Sequence, residues 1–275
     1  LIGPHMLDRV PSLFRETFPG KEAIVVADAT TWKVAGEKVQ MHLERAGIDC
    51  HSPFVFAESR PYAEYGNVEK LEEALKATQA IPVVAGSGTL NDLTKLASAL
   101  TDRPYMCVAT AASMDGYTAF GASITYQGAK QTFSCPAPAV VLGDIEIIRK
   151  APSAMTASGY ADLFAKVTAG ADWIVADALG LEPIDPKAWA IVQDGLKEAL
   201  ADPLGAKEGM ESAITPLVEG LILGGFAMQW SKTSRPASGA EHQFSHLWNM
   251  EHHTYLGETP SHGFQVGIAT LAISR

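Results

Sequence analysis

The stretch SGAEHQFSHLWNMEHH, residues 238 to 253, sets four histidines beside Glu241, Gln243, Asn249 and Glu251. Imidazole serves both metal ligation and proton transfer near neutral pH, and His242 and His246, spaced i, i+4, share one face of a helix. His262, in PSHGFQVG, stands just before Gly263, where a following helix returns it to the same pocket. Asp162, in SGYADLFAK, is an acid within an apolar helical stretch, and a buried acid needs a partner. Two imidazoles and one carboxylate supply three ligands and leave a position open, the arrangement of a catalytic metal site. Plainer roles stay open: His246 hydrogen-bonded in the core and Asp162 as a local cap. His252 and His253 are expected to be solvated.

A second constellation lies in VVAGSGTLND. Gly86, Ser87 and Gly88 separate a buried-type strand from a helix, where backbone N–H groups approach a pyrophosphate at the helix N-terminus. Strand-to-helix turns need glycine for conformational reasons alone, so the pattern by itself is weak. No GK[ST] follows, and Thr89, Leu90 and Asn91 after Gly88 exclude GxGxxG. Asp92 and Lys95 fall in the first turns of that helix. Asp28 closes the first strand, where it either accepts the ribose hydroxyls of a dinucleotide or caps the next helix.

The elements that carry these residues follow from periodicity. EAIVVADA, HSPFVFA, AIPVVAG and PYMCVATAA are strand-like and alternate with helical stretches such as TTWKVAGEKVQMHLERAG, VEKLEEALKAT and TLNDLTKLASALT. Alternation of this kind implies a parallel sheet covered by helices on both faces. ASITYQGAKQTFSCPAPAVVLGD reads as a β-hairpin and a returning strand. From Ala151 onward the pattern is helical, with DPKAWAIVQDGLKEALADP and ESAITPLVEGLILGGFAMQWSKT each read as one helix. The expected organisation is an α/β Rossmann-like dinucleotide-binding domain over 1–150 and an all-helical metal- and substrate-binding domain over 151–275. LIGPHMLDRVPSLF reads as a strand end, a turn and a helix.

Composition limits the function classes. Of 275 residues 47% are hydrophobic and 19% charged, which suits a buried enzyme core. A net charge of −10, without a basic run, argues against nucleic acid or an anionic membrane as partner. Cys50, Cys107 and Cys135 lack CxxC spacing, so neither a disulfide framework nor a zinc ribbon is indicated, and a reducing cytoplasm fits. No apolar stretch reads as a membrane span, and no signal peptide is visible.

GSGTLNDLTK, TAASMDGYTAFGASI, SGYADLFAK, SGAEHQFSH and SHGFQVG, in this order, closely resemble the sn-glycerol-1-phosphate dehydrogenases. These belong with glycerol dehydrogenase, the iron-containing alcohol dehydrogenases and dehydroquinate synthase. The resemblance covers essentially the whole chain, and it implies the dehydroquinate synthase-like pair of domains with an active site in the cleft between them. It makes Asp162, His242 and His262 the metal ligands. Gly86, Ser87, Gly88 and Asp92 form the pyrophosphate loop, and Thr110, Ser113 and Ser123 hold the nicotinamide half. Asp115 contacts a substrate hydroxyl, while His246, beside the metal, contacts substrate and carries the proton. The implied IGPHMLDRVPSLF is native sequence, and the helical domain is expected to continue beyond Arg275.

The implied reaction is reversible, metal-dependent, NAD(P)H-linked reduction of dihydroxyacetone phosphate to sn-glycerol 1-phosphate, a step of phospholipid metabolism. The cofactor is NAD or NADP, with Asp28 favouring NAD. The metal is one divalent ion, zinc before nickel or iron. Lys232, Arg235, His246 and Asn249 are candidate donors to a phosphorylated triose, and a homo-oligomer, dimer or larger, is expected. Two other readings compete. Glycerol dehydrogenase, acting on unphosphorylated glycerol, carries a motif closer to HAxHNG than to EHQFSHLW. A non-catalytic nucleotide-binding homologue would have little use for an open metal position. Dehydroquinate synthase needs further Lys and Arg contacts that the sequence does not place.

Overall fold

The computed structural model describes residues 1–58 and 60–275, and the chain divides into two compact units. The first comprises residues 1–111 and 121–150, and the second residues 112–120 and 151–275. The segment 112–120 therefore belongs to the helical unit although it precedes residue 150.

In the first unit the elements run β1 (Ile2–Gly3), α1 (Val10–Thr17), β2 (Ala23–Asp28), α2 (Ala29–Thr31), α3 (Glu37–Arg45), β3 (Phe54–Phe56), α4 (Tyr65–Lys76), β4 (Ile81–Gly86), α5 (Gly88–Leu100), β5 (Met106–Ala109), β6 (Ala122–Tyr126), β7 (Ala129–Phe133), β8 (Val140–Asp144) and α6 (Ile145–Ile148). Six strands form one sheet in the order β1-β8-β5-β4-β2-β3, with every pairing parallel. All residues of β2, β4 and β5 are buried, which requires cover on both faces. Strand alternation assigns the cover. Ala23, Val25, Ile81, Val83, Met106, Val108 and Leu142 share a core with Val10 and Phe14 of α1 and Val39 and Leu43 of α3. The intervening Ile24, Val26, Val84 and Cys107 are buried on the opposite side, where α5 packs against β4 and β2 and α4 packs on α5.

β6 and β7 form the expected hairpin. Tyr126 and Ala129 pair across a two-residue loop, Gln127-Gly128, in which both residues have positive φ, 52° and 79°. That is the turn whose twist matches the flanking strands, and glycine fills its second position without cost. The stretch after β2 departs from the expected single helix: α2 and α3 are joined by one π-helical segment over Trp32–Gly36.

The second unit contains α7 (Ser153–Ala178), α8 (Pro186–Gln193), α9 (Leu196–Ala199), α10 (Pro203–Glu208), α11 (Glu211–Ser231), α12 (Ala240–Met250) and α13 (His262–Ile273). The helix expected over 185–203 is broken, because Asp194 is extended and Gly195 has φ 95°. α10, which the sequence pattern did not reveal, starts at Pro203, with Asp202 accepting the Gly205 N–H at 2.8 Å. α11 is long and apolar enough to cross a membrane by length and composition, contrary to the expectation that no stretch reads so. It packs against α7, α8, α9 and α10, and its buried residues include Leu217, Val218 and Leu221, as a core helix requires.

α13 packs along α7 and against α12. Gly263 permits that approach, because a Cβ there would collide with the Ser158 backbone carbonyl of α7; Gly159 lets α7 lie close to the 112–120 segment instead, where a Cβ would collide with the Ala112 carbonyl. Each glycine stands close in sequence to a candidate ligand, Gly263 beside His262 and Gly159 before Asp162.

Candidate functional sites

In the first unit, Gly86 ends β4, Ser87 is the N-cap of α5 and Gly88 opens the helix. Ser87 makes no side-chain capping bond, so the first turn presents its N–H groups without a side-chain acceptor from the cap. A Cβ on Gly86 would overlap Leu90. Thr110 joins the turn by donating its N–H to the Gly86 carbonyl at 3.0 Å. Asp92 is 8% exposed and accepts the Ser123 N–H at 3.2 Å, with Lys95 Nζ 3.6 Å away. Burial raises the Asp92 pKa above the usual range against the opposing pull of Lys95. Gly86, Ser87, Gly88, Asp92, Thr110 and Ser123 thus lie within the same unit, whereas Ser113 belongs to the second, where its carbonyl accepts from Ser158 Oγ at 3.2 Å. Asp28 caps α2: its Oδ1 accepts from Thr30 N at 2.8 Å and Thr31 N at 2.7 Å.

In the second unit, α7, α12 and α13 bring Asp162, His242 and His262 together, with one potential ligand atom from each within 4.8 Å of the others. His242 Nε2 lies 3.7 Å from Asp162 Oδ1, and the two imidazole centroids are 5.2 Å apart. Zn–N and Zn–O bonds are about 2.0–2.2 Å, so ligands of one ion stand about 3–4 Å from each other. The His242–Asp162 pair meets that spacing, and one carboxylate with two imidazoles suits a borderline divalent cation. Asp162 is wholly buried and His242 is 5% exposed.

Two charged residues to which the sequence reading gave no role complete this cluster. Lys166, wholly buried one turn beyond Asp162, places Nζ 3.1 Å from Asp162 Oδ1 and 2.7 Å from Asp115 Oδ2. The Asp115 N–H donates to Asp162 Oδ2 at 3.0 Å. Glu241 accepts from the Gly239 N–H at 2.6 Å and stands 2.7 Å from His242 Nδ1. A signal for Lys166 was its i+4 spacing from Asp162, which places both on one helix face. Glu241 was masked by the histidine beside it.

These contacts set the protonation states. Burial pushes Asp162 upward, but Lys166, His242 and His262 hold its carboxyl far below the usual range. Burial would likewise lower Lys166, yet Asp115 and Asp162 outweigh it and raise the ammonium pKa. Asp115 goes up, from burial and the neighbouring Asp162 charge. Burial lowers His242, while the neighbouring Asp162 and Glu241 carboxylates more than offset this and raise it.

The remaining singled-out residues are spread more widely. His246 lies exposed on α12, one turn beyond His242, and His252 and His253 are also exposed. Arg235 Nε is held by Glu182 at 2.7 Å, Asn249 Oδ1 accepts from Gln265 at 3.2 Å, and Lys232 ends α11 with φ 55°.

Comparison with known proteins gives the lineage. Residues 1–152 match the family model "Iron-containing alcohol dehydrogenase". A Pyrococcus abyssi protein named glycerol-1-phosphate dehydrogenase (NAD(P)+) is 32% identical over 275 residues, covering 100% of this chain and 77% of that protein. The chain belongs to the iron-containing alcohol dehydrogenase family, in its glycerol-1-phosphate dehydrogenase branch. A member of the same name from Halalkalibacterium halodurans is 36% identical over 255 residues, 91% of this chain; the chain spans 63% of that relative's length. The family fold extends to glycerol dehydrogenase from Schizosaccharomyces pombe, with TM-score 0.78 at 20% identity over 99% of this chain and 69% of that one. It also extends to 2-epi-5-epi-valiolone synthase from Streptomyces hygroscopicus subsp. jinggangensis 5008, with TM-score 0.69 at 19% identity over 98% and 71% of the two chains.

Proposed function

We propose that this protein reduces dihydroxyacetone phosphate to sn-glycerol 1-phosphate, reversibly, with NAD(P)H and one divalent metal ion. The observation that carries the metal part is the convergence of Asp162, His242 and His262 in one buried cluster. The substrate comes from the likeness to proteins named glycerol-1-phosphate dehydrogenase (NAD(P)+) in bacteria and archaea. When bound, the cation supplies Lewis-acid stabilisation of charge growing on a substrate oxygen and the nicotinamide supplies the reducing equivalent.

The chain's own residues divide the remaining tasks. Asp162, His242 and His262 hold the cation, with zinc favoured for one carboxylate and two imidazoles and nickel or iron accepted by the same donors. Lys166 keeps Asp162 ionised for that role. Asp115, anchored by Lys166 and by its own N–H bond to Asp162, offers its carboxylate to a substrate hydroxyl. His246 carries the proton on the solvent side. The Gly86-Ser87-Gly88 turn receives the cofactor diphosphate at the α5 N-terminus, where N–H dipoles favour an anion. Asp92, Thr110, Ser113 and Ser123 serve the cofactor. Asp28 faces the adenosine ribose through the oxygen not used in capping, which favours NAD over NADP. A homo-oligomer in the cytoplasm completes the reading.

Steady-state NADH oxidation by the full-length, zinc- or nickel-loaded protein tests it. Charge-assisted hydrogen bonds to a phosphate contribute about 1.5–3 kcal/mol each, so two of them favour dihydroxyacetone phosphate over dihydroxyacetone by at least about 100-fold in kcat/KM. The product should be the 1-phosphate enantiomer. A preference for unphosphorylated substrate would assign the chain to glycerol dehydrogenase chemistry, and absence of turnover with metal and cofactor both bound would make it a nucleotide-binding homologue.

A further inference from the structure

We infer that Glu241 and the Ser245–Gln265 pair are positioning residues that hold His242 and His262 in one tautomer, protonated on Nδ1, so that Nε2 is left as the unprotonated, ligating nitrogen of each ring. The inference rests on the proposed metal site and deepens it. A neutral imidazole ligates through the nitrogen that carries no proton, so a site with two histidines works only if both protons are kept on the far side.

For His242 the lock is a carboxylate. Glu241 Oε1 lies 2.7 Å from Nδ1, and the same oxygen takes the Gly239 N–H, which fixes it as an acceptor. The proton between them therefore sits on Nδ1, and Nε2 is the nitrogen 3.7 Å from Asp162 Oδ1. Glu241 cannot swing away easily: it is wholly buried, its Oε1 also accepts the Gly239 N–H at 2.6 Å, and the Thr168 hydroxyl lies 2.9 Å from Oε2.

For His262 the lock is a relay whose polarity is fixed at its far end. The Pro260 carbonyl can only accept, and Gln265 Nε2 stands 3.4 Å from it and 3.2 Å from Asn249 Oδ1, so the amide nitrogen faces that side. Gln265 Oε1 then faces Ser245 Oγ at 2.7 Å and takes the only hydroxyl proton. Ser245 is left with lone pairs toward His262 Nδ1, 3.4 Å away, so the proton on that contact belongs to the ring. Both Ser245 and Gln265 are buried, at 0% and 3% exposure, so water does not compete readily for these roles. Glu241, Ser245 and Asn249 recur every four residues, so one stripe of α12 supplies a member of each lock.

The test uses ¹⁵N-histidine-labelled full-length protein, metal-free, in alkaline buffer where the rings are neutral, with zinc affinity measured separately by chelator competition. In the wild type both rings should show protonated Nδ1 and bare Nε2. A proton on Nε2 of either ring would overturn the inference without any variant. Gln265→Leu removes the acceptor, so Ser245 donates to His262 Nδ1; the His262 tautomer should flip, His242 should not, and zinc affinity should fall about 10- to 100-fold. Glu241→Leu should do the same to His242, whereas Glu241→Gln keeps an acceptor oxygen and should retain the wild-type tautomer. Unchanged tautomers and zinc affinity in Gln265→Leu and Glu241→Leu would refute the positioning role. A wild type that shows both Nδ1–H rings yet takes up no zinc, nickel or iron would support the tautomer assignment while refuting the metal reading.

Discussion

Lys166 Nζ lies 2.7 Å from Asp115 Oδ2 in a side-chain environment that gives the lysine no solvent exposure at all. A buried ammonium survives only when its charge is compensated, and here two carboxylates, Asp115 and Asp162, share it. The converse dependence is sharper. Lys166→Met leaves the buried Asp115 and Asp162 carboxylates, linked by the Asp115 N–H that donates to Asp162 Oδ2 at 3.0 Å, without the ammonium they share. Removing one partner of a buried ion pair costs about 3–5 kcal/mol, so the metal-free variant should lose that much in urea unfolding. Added zinc should restore part of it. A loss below about 1 kcal/mol would mean that the carboxylates are not charged together in the folded protein.

Gly263 ties packing to chemistry. With α13 seated against the Ser158 carbonyl, even one methyl group must push the helix off α7. Gly263→Ala should cost about 1–3 kcal/mol through overpacking and weaken zinc binding, because His262 moves with the helix. Gly267→Ala, whose added carbon meets the Ala161 side chain 2.8 Å away, controls for general crowding of the same helix pair, though it lies a turn further from the ligand. Equal zinc affinity in wild type and Gly263→Ala would separate the glycine from the site.

Substitution of the clustered residues should sort them by role. Asp162→Ala, His242→Ala and His262→Ala are expected to lose bound metal, measured by elemental analysis after gel filtration. His246→Ala, on the exposed side of α12, should keep it while losing rate. Metal loss in His246→Ala with retention in His242→Ala would reverse the assignment of the two histidines.

How much of this was legible in the sequence depends on the kind of signal. Buried strands such as AIVVAD and IPVVAG announced the parallel sheet, because burial on both faces leaves continuous apolar runs. The break at Asp194-Gly195 was written in the sequence as a turn dipeptide but was overridden by apolar periodicity on either side. The π-helical segment at Trp32–Gly36 leaves no such mark, since an i→i+5 bond changes no residue type. Asp162, His242 and His262 were readable as donors. Their outer partners were not: Lys166 looks like the polar face of any helix until the fold encloses it, and the Gln265 relay joins residues from two helices.

Asp28 allows its structural and cofactor roles to be separated. Its Oδ1 accepts from both Thr30 N and Thr31 N, so it caps α2 whether or not any cofactor is present. Asparagine caps a helix about as well as aspartate, whereas alanine costs about 1 kcal/mol. Asp28→Asn should therefore unfold at nearly the wild-type urea midpoint, while Asp28→Ala should unfold earlier. The charge is another matter. A carboxylate beside the adenosine ribose repels a 2′-phosphate, and at an effective dielectric near that of a protein surface two charges about 4 Å apart interact by about 4 kcal/mol before salt screening reduces it. Asp28→Asn should then bind NADPH at least about 10-fold more tightly relative to NADH than the wild type does, by fluorescence titration, and low salt should widen the difference. An unchanged NADPH-to-NADH ratio, with the stability pattern as expected, would leave Asp28 as a helix cap alone and remove it from the cofactor site.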